Sequence, residues 1–312
     1  CMATRSFDKS QLGTLNGTFS KPQFQLSQLG YCRIMINNPM LISHGTLRST
    51  DFPQRLRIAK ESGYDAIGLN AGSISNSRGE YQRIRESGTT DSEILHQLQQ
   101  SGIRIGELEA LVIGNDEQAQ LFLHLAKTFS VSVIQTIGLF QVGKASNPLE
   151  IDSTVTWLQK FSEELRPTGT RIAVEFIPTT PIPDVDTAQM IVDRVSQPHV
   201  GICVDLWHVE RGLGISELEK VRWENVFNVQ ISDGSLVPEE TNYIRDCISN
   251  RRCLADGQFR LEKFIKYFTE LPTTTPIGIE VLSNSLDALT IDEKISSLIR
   301  SREIAQSTYY SS

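Results

Sequence analysis

No run of about 18 apolar residues occurs in the sequence, so no membrane-spanning helix is read in it. A basic block is missing too. The 30 Lys and Arg are outnumbered by 37 Asp and Glu, giving a net charge of −7. That balance argues against a nucleic-acid groove as the main surface. The 5 cysteines form no CxxC pair, which removes the common zinc-ribbon and redox motifs. Cys203 sits in an apolar run and reads as a small core residue. Cys32, Cys247 and Cys253 read as reduced thiols, with a Cys247–Cys253 pair open in principle. The N-terminus lacks a charged start followed by an apolar core, so no secretory signal is read and a cytoplasmic location is expected. A glycine-rich GxGxxG loop after an early strand is also absent, which weighs against a dinucleotide-binding open sheet.

What is present is a rhythm. At 39% apolar and 21% charged residues, the composition suits a globular chain with a substantial core. Residues 1–30 are rich in Ser, Gln and Gly, with weak periodicity, and are expected to form an N-terminal arm. From residue 39 short apolar runs alternate with amphipathic segments. Strands are predicted at 40–43, 64–69, 103–108, 131–137, 172–177, 200–204, Val226–Ile231 and 277–282. Helices are predicted to begin at Asp51-Phe52-Pro53 and at Thr90, where Glu93 completes a capping box. Others are predicted over Asp116–Phe129, 152–165, 187–195, 261–271 and 291–304, and residues 232–258 form a long polar connection. A βα unit roughly every 30 residues over about 250 residues predicts a (β/α)₈ barrel, an α/β fold occupying residues 31–312 as a single domain.

Chemistry in such a barrel sits at the C-terminal ends of the strands. There the predicted strands carry Glu175, then Asp205 followed by Trp207 and His208, then Gln230 with Asp233 just beyond, then Glu280. Each has an ordinary explanation alone: Asp205 as a helix cap, His208 as a wall residue, the glutamates as rim ion pairs. Together, three carboxylates at one mouth would repel unless a cation joined them. Oxygen donors without a thiolate suit Mn²⁺ or Mg²⁺. His44, near the end of the first barrel strand, is expected to line the pocket, and Trp207 to give it an apolar wall. For both, ordinary core packing is the alternative.

The chain resembles the sugar phosphate isomerase/epimerase group, the xylose isomerase-like barrels. The resemblance rests on AVEF at 173–176, VGICVDLWHVER at 200–211, VQISDG at 229–234, RRCLADGQF at 251–259 and IGIEV at 277–281. It implies a divalent metal on Glu175, Asp205, Gln230 and Glu280, with Glu175 and Glu280 as the acid/base pair. It implies substrate contacts from His208 and from Arg252, beside Arg251; a rim ion pair of Arg252 with Asp246 or Glu262 is the alternative. Gln230 stands where many members carry His; a Gln there resembles the hydroxypyruvate isomerases and 3-dehydroshikimate dehydratases of the group. The turn Ala255-Asp256-Gly257 shortens the group's usual Pro-Gly-Glu-Gly. The activity implied is isomerisation or epimerisation of a small polyhydroxy carbonyl compound through an enediolate. The alternative is a dehydratase of inosose or 3-dehydroshikimate type. An endonuclease branch, which uses many His ligands, fits poorly with 5 His and the negative charge; a non-catalytic carbohydrate-binding barrel is a further alternative. No nucleic-acid or membrane partner is expected, and a homodimer is left open.

Overall fold

The first strand, β1 (Tyr31–Met35), pairs antiparallel with the last, β10 (Ser307–Ser311), outside the main sheet. Between them run β2 (Met40–Ile42), β3 (Ala66–Asn70), β4 (Arg104–Val112) and β5 (Val133–Ile137). β6 (Arg171–Glu175), β7 (Val200–Asp205), β8 (Val226–Ile231) and β9 (Ile277–Ile279) follow. These eight are parallel and close into a barrel in sequence order, β2 pairing with both β3 and β9. The (β/α)₈ barrel read from the sequence is therefore the fold. The computed structural model describes residues 31–72, 79–138 and 148–311, and the expected arm, residues 1–30, lies outside them.

Helices start where a side-chain oxygen meets the first free backbone N–H groups. Asp51 Oδ1 accepts the Gln54 N–H at 2.9 Å and opens α1 (Phe52–Glu61), with Pro53 in its first turn. α2 (Glu80–Glu86) is short. The expected Thr90–Glu93 capping box starts α3 (Asp91–Ser101), which Gly102 ends at φ +75°. α4 (Asp116–Phe129), α5 (Pro148–Leu165) and α6 (Val185–Val195) cover the next strands. α7 (Leu206–Arg211) follows β7 directly. α8 (Tyr243–Ser249) stands inside the segment 232–258 read as a long polar connection. α9 (Leu261–Ile265), α10 (Asn284–Asp287) and α11 (Ile291–Ala305) complete the ring.

The main core lies between barrel and helices, as both faces of a parallel sheet require. The barrel interior is layered differently. Val133, Ala173, Cys203 and Phe227 form an apolar plug, with Arg171 stacked 4.8 Å over the Phe227 ring. Beyond the plug the interior turns polar, with Glu107, Gln135, Asn228 and Gln230 all buried. A barrel interior normally fills with branched apolar side chains, so a polar layer here marks the floor of a site. Among the described residues, no helix is long and apolar enough to cross a membrane.

Candidate active site

β6 delivers Glu175 at its last residue and β7 delivers Asp205 at its own. Asp205 Oδ1 accepts the Trp207 N–H at 2.9 Å and thereby caps α7. The helix that Asp205 starts brings the third residue onward back over it. His208 Nε2 lies 3.4 Å from Asp205 Oδ2 and 3.2 Å from Glu175 Oε1. All three side chains are buried, and one donor atom from each falls within 4.8 Å of the others. On the far side of the ring, His208 Nδ1 hydrogen-bonds the Tyr243 hydroxyl of α8.

Glu280 follows β9 and joins the group through Arg251. The Arg251 guanidinium is 2% exposed, and its Nη1 donates to Asp205 Oδ2 and to Glu280 Oε2, each at 2.8 Å. A fixed cation thus already neutralises part of the carboxylate cluster. Burial disfavours ionised Asp205, yet the Arg251 guanidinium and His208 outweigh it and hold its carboxyl below the ordinary value. For Glu280 the balance falls the other way. Burial pushes it well above the usual carboxylate range, Arg251 notwithstanding. Two carboxyl groups touching one arginine are therefore pushed in opposite directions, Asp205 toward the ionised form and Glu280 toward the protonated one.

Gln230 sits one layer down. Its Nε2 donates to Glu280 Oε1 and to Glu107 Oε1, both at 3.2 Å, and its Oε1 accepts from Gln135 at 3.1 Å. Gln230 thus contacts the expected ligand Glu280 directly. Beside Glu175 and Asp205 stands His208. Glu107 also accepts from Ser43 at 3.0 Å and Asn228 at 2.5 Å. Burial, then the nearby Glu280, pushes its pKa up to about 8.

The remaining expectations divide. His44 lies in a 3₁₀ turn after β2 and does line the cavity above the carboxylates. Its Nδ1 meets Glu80 Oε2 of α2 at 2.8 Å, and buried Arg55 of α1 pairs with the same carboxylate. Trp207 gives no wall. It is fully buried, tilted against Phe259 with Arg211 over its ring, and does not line the cavity. Arg252 is not in the pocket either, and its partner is neither Asp246 nor Glu262. A short antiparallel bridge pairs it with Asp233, and its side chain runs outward to Glu239 at 2.6 Å. Neighbours on an extended segment point oppositely, so Arg251 is the one that faces in. Asp233 shapes this turn by accepting the N–H groups of Ala255, Gly257 and Phe259 at 3.1, 3.0 and 2.9 Å.

The sequence reading missed Glu107, Glu109, Arg251 as the inward residue, Tyr243 and Glu80. A signal existed for the first two. Glu107 and Glu109 are two apart within an apolar strand, which puts both on one face.

A divalent metal is plausible here, since the donor set fits one: two carboxylates and an imidazole nitrogen, buried and mutually within 4.8 Å. Above it opens a cavity of about 180 Å³, whose polar lining includes His44, Glu109, Glu175, His208, Arg251 and Glu280.

No curated protein matches the sequence. Among solved structures, the IOLI protein with a bound zinc atom is similar at a TM-score of 0.73 and 19% identity, covering 86% of this chain and 98% of that one. The probable 3-DHS dehydratase AsbF of Bacillus anthracis, involved in petrobactin synthesis, is similar at 0.64 and 14%, covering 85% and 98%. A xylose isomerase-like TIM barrel protein from Mycobacterium smegmatis in complex with magnesium is similar at 0.59 and 18%, covering 86% and 97%. At such identities the likeness is one of fold. The sequence model of the xylose isomerase-like TIM barrel family, however, matches residues 56–301, most of the chain. The chain belongs to the xylose isomerase-like TIM barrel family.

Proposed function

We propose that the chain is a divalent-metal-dependent isomerase or epimerase, moving a proton on a small α-hydroxy carbonyl compound through an enediolate. The observation that carries this reading is the convergence of Glu175 and Glu280 on one buried cavity, beside the Glu175–Asp205–His208 group. Glu175, Asp205 and His208 would hold the cation. A nitrogen in the set favours Mn²⁺ over Mg²⁺, whose preferred ligands are oxygens. When bound, the cation supplies Lewis acidity to a carbonyl and its neighbouring hydroxyl.

The chain's own residues supply the proton traffic. Glu175 accepts the proton from the carbon beside the carbonyl. Glu280, which burial pushes toward its protonated form, returns a proton to that carbon or the next. Arg251 ties Asp205 and Glu280 together through one terminal nitrogen. Tyr243 fixes the His208 ring from its Nδ1 side, so that Nε2 faces Glu175 and Asp205.

A dehydratase is the second reading, favoured by the same burial of the Glu280 carboxyl, which raises its pKa. An acid in the cavity suits protonation of a leaving β-hydroxyl once the adjacent C–H has been broken. An endonuclease reading has little support. His96, His124 and His199 bond to Gln100, Asp91 and the Ser162 carbonyl, away from the cavity.

The test is deuterium incorporation from D₂O, followed by NMR over a panel of α-hydroxy ketones with Mn²⁺ present. Exchange at the carbon beside the carbonyl is expected, falling by about a hundredfold or more in Glu175→Gln. Loss of water from the product selects the dehydratase. No exchange with any member of the panel contradicts the proposal.

A further inference from the structure

The carboxylate floor of the cavity is surrounded by walls of a different character. On one side Ala110, Val112, Ile137 and Ile177, at the ends of β4, β5 and β6, form an apolar cluster separate from the main core, with Tyr243 packed on it. Ala110, Ile137 and Ile177 of this cluster face the cavity. Next to it stands α8, which begins with that Tyr243. Ile244 and Ile248 are four apart and share one helix face. Both border the cavity, with Leu282 beside them, and both stay 36% and 41% exposed. A scattered exposed isoleucine needs no explanation. Two on one face, bordering a cavity that Ala110, Ile137 and Ile177 also line, leave apolar surface for a ligand to cover.

We propose that this cavity selects a small, unphosphorylated α-hydroxy carbonyl compound with an apolar body, and that Ile244 and Ile248 of α8 determine that specificity. The proposal rests on the reaction read above and narrows its substrate, turning away from the polyhydroxy compound expected from sequence. Each substrate hydroxyl buried against aliphatic walls without a partner weakens binding by about tenfold. A polyol therefore loses against a molecule that carries its polar groups at one end only. The charge pattern agrees. Arg251 is the one Arg or Lys among the described lining residues, and two carboxyl groups already occupy it. A phosphate would find no free cation among those residues. Size agrees as well. A cavity of about 180 Å³ is slightly larger than the roughly 150 Å³ engineered cavity known to admit benzene, so it holds a single ring or a branched chain of similar bulk.

The experiment is calorimetric titration of the full chain, with Mn²⁺ present, by two ketones sharing the α-hydroxy carbonyl unit. 2-Hydroxycyclohexanone has an otherwise apolar ring; scyllo-inosose is hydroxylated throughout. 2-Hydroxycyclohexanone is expected to bind about tenfold or more tightly than the inosose. The double variant Ile244→Asn/Ile248→Asn is expected to bring the two within about twofold. Both residues are exposed, so the variant should melt within about 2 °C of the wild type. Dihydroxyacetone phosphate should bind no better than dihydroxyacetone. Equal or tighter inosose binding, a preference that survives in the double variant, tighter binding of the phosphate, or binding of neither ketone overturns the proposal. Repeating the titrations in D₂O separates it from the reaction. Preferred binding of 2-hydroxycyclohexanone without deuterium incorporation upholds the apolar walls and refutes the proton transfer. Incorporation into a more tightly bound inosose does the reverse.

Discussion

At the scale of single residues, Arg251 and Glu80 show how this molecule places charge out of water. Arg251 is almost fully buried, and its one terminal nitrogen serves Asp205 and Glu280 together. Breaking a buried ion pair by deleting one partner leaves a charge with no compensation. Arg251→Met is therefore expected to destabilise the fold by about 3–5 kcal/mol in urea denaturation, and an added divalent cation should restore part of that loss. Glu80 makes the second case. Burial opposes its charge, but the Arg55 guanidinium and His44 outweigh burial and hold it at about 2. Because the folded value lies below the ordinary 4.5, folding favours the ionised form. Its contribution, about 3 kcal/mol, is complete above pH 4.5 and is lost as pH falls toward 2. Glu80→Gln should thus lower stability near neutral pH by about that amount and flatten its decline between pH 5 and 2. An unchanged acid limb in the variant would contradict the assignment.

At the scale of elements, the covering segment matters most. α8 has seven residues, too few to persist alone. It is held by Asp246, whose Oδ2 meets Arg211 of α7 at 2.9 Å in a buried pair, and by Tyr243 on His208. Asp246→Ala is expected to speed hydrogen exchange across α8 by about a hundredfold while exchange in the barrel strands stays unchanged. The turn behind Arg251 is under strain at one position, Ala255, which adopts φ +67°. Ala255→Gly should relieve about 1 kcal/mol, read as a raised melting temperature. Gly257 differs: a Cβ there would fall 2.2 Å from Asp233 Oδ1.

These elements also mark how far sequence reasoning reached. α4 and β8 carry the expected bounds because their periodicity is strong and uninterrupted. β4 was expected to stop at residue 108 but runs to Val112; acids at 107 and 109 hide a strand whose inward face is polar by function. α7 and α8 were not read, being short and held by tertiary contacts rather than by an apolar stripe. Glu175, Asp205, His208 and Glu280 were legible because acids in apolar strands are conspicuous; Glu175, His208 and Glu280 line one cavity, and Asp205 meets His208 and Arg251 beside it. The choice between Arg251 and Arg252 was not, since adjacent residues differ only in which way the chain turns them. Nor was the orientation of Gln230, which the glutamates around it decide.

At the scale of the whole molecule, the closed barrel grades from an apolar plug, through a hydrogen-bonded polar layer, to carboxylates and one arginine, and then to aliphatic walls at the mouth. Asn38 helps to close the ring near the opposite end, donating to the Pro272 and Thr275 carbonyls at 2.8 and 2.9 Å just before β9. The central claim is that this gradient ends in a site for one divalent cation beside two acid/base glutamates. The most direct measurement is Mn²⁺ titration followed by electron paramagnetic resonance, on the wild type and on Glu175→Gln. One Mn²⁺ per wild-type chain is expected, with an affinity about tenfold to a hundredfold weaker in the variant. A wild type that binds no Mn²⁺, or a variant that binds it equally well, would contradict that claim.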